Sequence, residues 1–333
     1  MKTIFFEVQA WEKEKLQTTF PDATLVEEKL SAHNVQNYQD AEIISTFINS
    51  VVPKEVIEEL PHVKYIATRS TGYDHIDIGY CKSKNILVCN VPEYGSNTVA
   101  EHTFALLLSL TRKIYQSVNQ SKQLNFDHDA IRGIDLEGKT IGIIGLGKIG
   151  QHVLRIAHGF GMNILVVNRS KNEELLKQYN FQYVDLDTAL QQSDIITLHL
   201  PFNNETKHTI TKENITKFKQ GSYLINTARG GLIETEAIMI GLDKGILDGV
   251  GLDVLEDEKV LSEEISILTS EYKSHTDLRN LVYDHILINH PKVLITPHNA
   301  FNSKEALERI TKTTIENIHS FLKGTAINAV NSS

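Results

Sequence analysis

The sequence predicts an α/β protein built of two doubly wound parallel-sheet domains. Three observations predict it. Short apolar, β-branched runs alternate with helical patterns along most of the 333 residues, as in strands covered on both faces by crossover helices. A glycine stretch, Gly145-Leu-Gly-Lys-Ile-Gly150, follows one such run directly. The chain is also long enough for two full-sized cores.

Residues 2–6 read as a strand, 10–19 as a helix and 24–29 as a strand. Residues 42–47 form the next strand, ending in the loop 48–50. A helix over 53–60 starts on Pro53, where a missing N–H leaves nothing unpaired. Residues 65–68 lead into the loop Arg69-Ser-Thr-Gly-Tyr73, and 86–88 close a small domain without a phosphate-type glycine loop. Residues 91–97 break the pattern as a hinge. Residues 98–119 then read as one long helix, with Thr98 and Glu101 at capping-box spacing. Phe104, Leu106, Leu107, Leu108 and Leu110 make it apolar most of the way round. Such a helix should be covered on several sides, which points to a homodimer through this helix.

Residues 140–144 are a buried-strand run, 148–160 a helix and 163–167 a second strand, a βαβ unit of about thirty residues. The glycines between them have separate physical jobs. Gly145 makes the tight turn, Gly147 lets the backbone approach a pyrophosphate, and Gly150 lets helix and strand pack closely. The helix N-terminus would aim N–H groups and the positive end of its dipole at the phosphates. Beyond it, 188–192 and 234–244 read as helices, and 195–200, 223–226, 249–254 and 293–296 as strands. The polar stretch 256–290 is the least readable, and 303–322 is a helix returning the chain to the first domain.

A formal charge of −9, with no Lys/Arg cluster, argues against a nucleic-acid or anionic-membrane surface. Cys81 and Cys89 lack metal-ligand spacing and read as buried thiols of a reducing compartment, so no metal site is expected. The N-terminal run is neither a signal peptide nor a membrane span, and a cytoplasmic location follows as the expectation.

Parallel sheets bind ligands at the carboxyl ends of their strands, and Arg229, Glu258 and His298 lie just beyond such ends. A 2-oxo acid needs a bidentate guanidinium for its carboxylate. Reducing its carbonyl needs a proton donor at the oxygen, and histidine titrates near neutral pH. A carboxylate on the far ring nitrogen fixes the tautomer and favours the imidazolium. Each residue has a plainer role too. Arg229 can cap a helix, Glu258 can be a loop charge, and Tyr94 can be a packing tyrosine. His102, His158 and His199 read as structural histidines.

With these motifs on the page, the whole chain resembles the D-isomer-specific 2-hydroxyacid dehydrogenases. The resemblance is carried by Gly145-Leu-Gly-Lys-Ile-Gly150, Asn226-Thr-Ala-Arg-Gly-Gly231, Leu252-Asp-Val-Leu-Glu-Asp-Glu258 and Thr296-Pro-His-Asn-Ala-Phe301. Val91-Pro-Glu-Tyr94 and Val99-Ala-Glu-His102 add to it, and Tyr94 with the His-x-Ala-Phe ending is similar to the D-lactate dehydrogenase branch. The resemblance implies a Rossmann cofactor domain, 98–299, inserted into a flavodoxin-like substrate domain, 1–97 plus 300–333. It implies that Arg229 binds the substrate carboxylate, His298 is the acid/base, and Glu258, chosen over Glu256 by spacing, is its partner. The gap from Glu258 to His298 is longer than the family's usual one. Thr71, Gly72, Tyr94 and Phe301 are implied to line the substrate, and the loops 47–50 and 70–73 to set its size. Lys148, Ile149, His199, Pro201, Thr227, Ala228 and Asp253 are implied cofactor contacts. The implied reaction is reduction of a small 2-oxo acid, pyruvate to D-lactate first. Glyoxylate, hydroxypyruvate and branched 2-oxo acids are alternatives, and a dinucleotide-sensing corepressor-like scaffold is the rival from another class.

One departure matters. Where NAD-dependent members carry an acidic residue that holds the ribose hydroxyls and repels a 2′-phosphate, this chain has Asn168-Arg169-Ser170. An amide does not repel a phosphate, and a guanidinium and a hydroxyl can hold one. NADPH is therefore expected over NADH, with dual use allowed.

Overall fold

The computed structural model describes residues 1–256 and 275–331. The chain divides into two compact units, Met1–Gly95 with Asn302–Ser333, and Ser96–Phe301.

The first unit contains β1 (Thr3–Phe5), α1 (Ala10–Thr19), β2 (Thr24–Leu25), β3 (Ile43–Thr46), α2 (Lys54–Glu58), β4 (Tyr65–Thr68), α3 (Ile78–Ser83) and β5 (Leu87–Cys89). These five strands pair in parallel in the order β2-β1-β3-β4-β5, the flavodoxin-like winding expected from the resemblance. Side-chain alternation sorts the two faces. Ile4, Ile44, Ile66 and Val88 enter one core, and Phe5, Ile43, Tyr65 and Cys89 the other, with Leu16 of α1 and Ile318. The strand expected over 24–29 keeps only two residues. Past Leu25 the carbonyls of Val26 and Glu28 accept from the loop amides of Val8 and Glu7 instead of extending the ladder.

The second unit contains α4 (Ser96–Thr111), α5 (Ile114–Lys122), β6 (Thr140–Ile144), α6 (Lys148–Gly159), β7 (Asn163–Val167), α7 (Glu173–Tyr179), β8 (Gln182–Tyr183), α8 (Leu186–Gln192), β9 (Ile195–Leu198), β10 (Ser222–Asn226), α9 (Thr235–Asp243), β11 (Leu247–Leu252), α10 (His275–Asn289) and β12 (Val293–Ile295); α11 (Lys304–Leu322) returns to the first unit. Its strands are parallel in the order β12-β11-β10-β9-β6-β7-β8. The order reverses between β6 and β9, the switch point of a Rossmann sheet.

The long helix expected over 98–119 is two helices. Lys113 takes a left-handed φ of 52° between α4 and α5. The expected capping box does not form either: α4 begins at Ser96, so Thr98 lies inside its first turn, and Glu101 accepts from Asn97 Nδ2 at 2.6 Å. The apolar girth of α4 is covered within its own unit. Phe104, Leu107 and Leu110 join the core of β6, α6 and β10, and Phe104 stacks on Phe160. Exposed apolar side chains follow α4 instead: Ile114, Tyr115, Val118, Leu124 and Phe126, on α5 and just beyond it. Among the described residues no helix is long and apolar enough to cross a membrane.

Candidate active site

The glycine turn behaves as its spacing demands. Gly145 has φ +100°, and a Cβ there would lie 2.6 Å from the carbonyl oxygen of His199. A Cβ on Gly150 would lie 2.1 Å from the carbonyl oxygen of Gly145, so only glycine lets α6 approach the strand this closely. Gly147 differs: a Cβ there would meet no protein atom within 4 Å. Packing does not require that glycine; close approach of a phosphate to the backbone would. The turn sits at the N-terminus of the twelve-residue α6, beside exposed Lys148 and half-buried Ile149. These residues fit a dinucleotide.

Beyond β7, Asn168 is tied down by its own chain. Its Oδ1 accepts from the Leu146 amide at 3.0 Å, and its Nδ2 donates to the Ser170 carbonyl at 2.7 Å. Exposed Arg169 pairs with Glu205, a partner with no sequence signal. Beyond β9, the His199 ring is bonded at Nε2 to Thr197 Oγ1, 2.9 Å, while Nδ1 is buried without a partner. Burial pushes its pKa down to about 3, so the ring is neutral. His199 shapes the glycine turn through its backbone. Exposed Pro201 accepts at its carbonyl from Thr206 Oγ1, 2.6 Å.

The Asn-Thr-Ala-Arg-Gly-Gly run is a folded template. Buried Asn226 accepts the Ala228 amide at 3.0 Å and donates to the Arg229 carbonyl at 2.9 Å, closing the turn that presents Arg229. Thr227 Oγ1 lies 2.9 Å from Thr103 Oγ1 on α4. The Arg229 side chain is half-buried, with Nη1 donating to the Ala228 carbonyl at 2.8 Å. A Cβ on Gly230 would lie 1.9 Å from the Leu255 carbonyl oxygen, so the exits of β10 and β11 touch back to back.

Asp253 turns out to be the organiser of the histidine loop. It is 1% exposed. Its Oδ1 accepts from Thr296 Oγ1 (2.5 Å) and the Asn299 amide (2.8 Å), and its Oδ2 from the Ala300 amide (2.8 Å). The His298 amide donates to the Asp253 carbonyl at 2.8 Å. His102 stands 3.0 Å from Thr296 Oγ1 and 3.5 Å from Asp253. Burial alone would raise the Asp253 pKa, but the hydrogen bonds from His102, Thr296, Ala300 and Asn299 outweigh it and hold it below the usual range. His298, half-buried, is held at φ +50° by this arrangement. Half-buried Phe301 closes the unit.

Asn226, Leu252 and Ile295 stand in register across β10, β11 and β12. Arg229, Asp253 and His298 therefore start from one edge of one sheet, the edge that also carries the glycine turn. Glu256 is taken up elsewhere: it accepts from His208 Nε2 (2.6 Å) and from the amide and hydroxyl of Thr235 (3.1 and 2.8 Å). Glu258 lies outside the described residues. No metal-holding cluster occurs among the described residues.

In the first unit, exposed Thr71 donates its hydroxyl to the Val91 carbonyl at 2.8 Å, and the Gly72 carbonyl accepts from Ser70 Oγ at 2.6 Å. The Tyr94 carbonyl accepts from Arg309 Nε at 2.6 Å.

Comparison with known proteins gives these features a lineage. Residues 104–300 match the family model for the D-isomer specific 2-hydroxyacid dehydrogenase, NAD binding domain. D-lactate dehydrogenase of Escherichia coli is 32% identical over 335 residues, 97% of this chain and 98% of that protein. The crystal structure of D-lactate dehydrogenase from Aquifex aeolicus complexed with NAD and lactic acid superimposes with a TM-score of 0.90 at 35% identity, covering 100% of both chains. An acyclic imino acid reductase in complex with NADPH and D-Arg superimposes with a TM-score of 0.81 at 29% identity, over 98% of this chain and 99% of that one. The family match over residues 104–300 and the likeness to these relatives over nearly the full length place the chain in the D-isomer specific 2-hydroxyacid dehydrogenase family, as an oxidoreductase that works with a nicotinamide dinucleotide.

Proposed function

We propose that the chain reduces a small 2-oxo acid to its D-2-hydroxy acid, with pyruvate to D-lactate as the first choice. The observation that carries this is the shared strand-end edge, where Asp253 locks the loop bearing His298 beside the turn bearing Arg229. The bound nicotinamide supplies the hydride. Arg229 grips the substrate carboxylate as a bidentate fork. His298 gives its proton to the carbonyl oxygen as the carbon gains the hydride, and recovers one from solvent. Glu258 is assigned as the partner of His298. Thr71, Gly72, Tyr94 and Phe301 line the substrate. Gly145, Gly147, Lys148, Ile149 and Gly150 hold the pyrophosphate, and Pro201, Thr227, Ala228 and the His199 backbone flank the dinucleotide. The lactic acid in the Aquifex complex and the name of the E. coli relative support a three-carbon substrate.

Both dinucleotides are accepted in this reading, with NADPH favoured. The pair of Arg169 with Glu205 is an exposed one, 78% and 70% accessible. Such pairs contribute about 0–1 kcal/mol, so a dianionic 2′-phosphate can draw Arg169 away. The NADPH held by the imino acid reductase shows that a relative of this fold takes it. A homodimer through the apolar side chains of α5 and its following loop is part of the proposal, checked by sedimentation velocity.

The deciding test is turnover of pyruvate, hydroxypyruvate, glyoxylate and 2-oxoisocaproate, each with NADH and NADPH. Pyruvate should give the highest kcat/KM. Arg229→Lys should lower kcat/KM roughly 10- to 100-fold, as expected for a lost charged hydrogen bond of about 1.5–3 kcal/mol. No turnover of any 2-oxo acid would leave the dinucleotide-sensing scaffold as the better reading.

A further inference from the structure

In a sheet of order β2-β1-β3-β4-β5 the switch point lies between β1 and β3, where a crevice opens at the carboxyl ends and a ligand can enter. Successive loop amides there can form a concave anion nest. In this chain the nest is filled from within. Glu7, two residues past β1, is 4% exposed and takes φ +56°. Its Oε2 accepts from the amides of Phe47 (3.0 Å) and Ser50 (2.9 Å) and from Ser50 Oγ (2.5 Å), and its Oε1 from the Asn49 amide (3.0 Å). All four donors belong to the loop that follows β3.

A buried cation secures the other side. Arg69, the first residue past β4, is fully enclosed. It donates to the carbonyls of Phe6 (2.5 Å) and Glu7 (3.1 Å) and to Ser45 Oγ (3.1 Å), and pairs with buried Glu12 at 3.2 Å. Its guanidinium also stands 5.6 Å from the Phe47 ring. The ends of β1, β3 and β4 are thus bound into one charged knot, and two loops leave from it, 47–50 and 70–73.

We propose that Glu7 is a positioning residue for substrate selection: its carboxylate holds loop 47–50 in one conformation, and that loop, with 70–73, limits the side chain of the 2-oxo acid. The loop's contact with substrate rests on the function proposed above; the carboxylate clamp does not. Glutamine has the volume of glutamate but offers one acceptor oxygen and a donor amide. Glu7→Gln therefore removes acceptors from the nest and sets N–H against N–H.

The test pairs two readouts on the full-length protein. Amide hydrogen exchange at Phe47, Asn49 and Ser50 should be slow in the wild type and roughly tenfold or more faster in Glu7→Gln. The ratio of kcat/KM for pyruvate over 2-oxoisocaproate should fall about fivefold or more, through KM for the acids, with KM for the dinucleotide unchanged. Unchanged exchange overturns the clamp. Faster exchange with an unchanged substrate ratio overturns the selection role. A wild type that reduces no 2-oxo acid removes the selection role together with the proposed function, while exchange still decides the clamp. Should Glu7→Gln not fold, Ser50→Ala removes a single donor and should shift both readouts in the same direction by less.

Discussion

The two sheets obey one topological rule and use it in opposite ways. At the carboxyl end of β6, bare backbone is presented: Gly147 could carry a Cβ without meeting protein, and α6 aims its N-terminus there. At the end of β1, the comparable place is plugged by the protein's own carboxylate, satisfied by four donors. The same nest chemistry suits recognition in one unit and gives self-support in the other. Sheet order therefore shows where a ligand can enter, and only the side chains show whether one is wanted.

Substitutions can break or sharpen this contrast. The largest effect belongs to the recognising unit. His298→Ala should lower kcat about 10²- to 10⁴-fold while dinucleotide binding, read by quenching of nicotinamide fluorescence, persists; a variant keeping a tenth of the activity would move the proton donor elsewhere. Next come the two glycines. Gly150→Ala should destabilise by about 1–3 kcal/mol, since its Cβ meets the Gly145 carbonyl. Gly147→Ala should unfold like the wild type in denaturant, yet weaken the dinucleotide about tenfold, or 1.4 kcal/mol. Equal stability losses at both positions would erase the distinction between packing glycine and ligand glycine. A smaller change is expected from Asn168→Asp, which should shift the NADH-to-NADPH ratio of kcat/KM several-fold toward NADH by repelling the 2′-phosphate. A ratio already well above one in the wild type would sink the NADPH preference.

An effect of a different kind is on acid stability. His199 titrates near 6.5 when unfolded and about 3 when folded. Between those values the unfolded chain binds a proton that the folded one does not, so stability falls as pH falls from 6.5 toward 3. His199→Gln should flatten the dependence of Tm on pH across that window. An unchanged slope would mean that the ring is hydrated in the native state.

Legibility followed the range of the interactions. The βαβ unit around Gly145 could be read because its signals are local: apolar runs, glycines at fixed offsets and a 3.6-residue period. The positions of Arg229 and His298 just past strand ends were legible too, each three residues beyond β10 or β12. The break at Lys113 was not, since a left-handed lysine leaves no mark on the apolar pattern of α4. Three of the four bonds made by Glu7 span more than 40 residues, which no window sees. Asp253 reads in sequence only as a cofactor contact implied by the resemblance, and its hold on 296–300 depends on β11 and β12 being neighbours. Short elements such as α3 and β8 lack the length for a period to emerge.

Asp253 also ties speed to durability. Immobilising a loop residue costs about 1–2 kcal/mol of conformational entropy. With this carboxylate inside the fold, that ordering is completed once, when the chain folds, and is not repeated in each turnover. With His298 in the acid/base role proposed above, heat, acid or mutation that releases Thr296, Asn299 and Ala300 should thus end turnover before the sheet melts. In a thermal ramp, catalysis should fade ahead of global unfolding, and variants selected for heat tolerance in this loop should also be faster when warm.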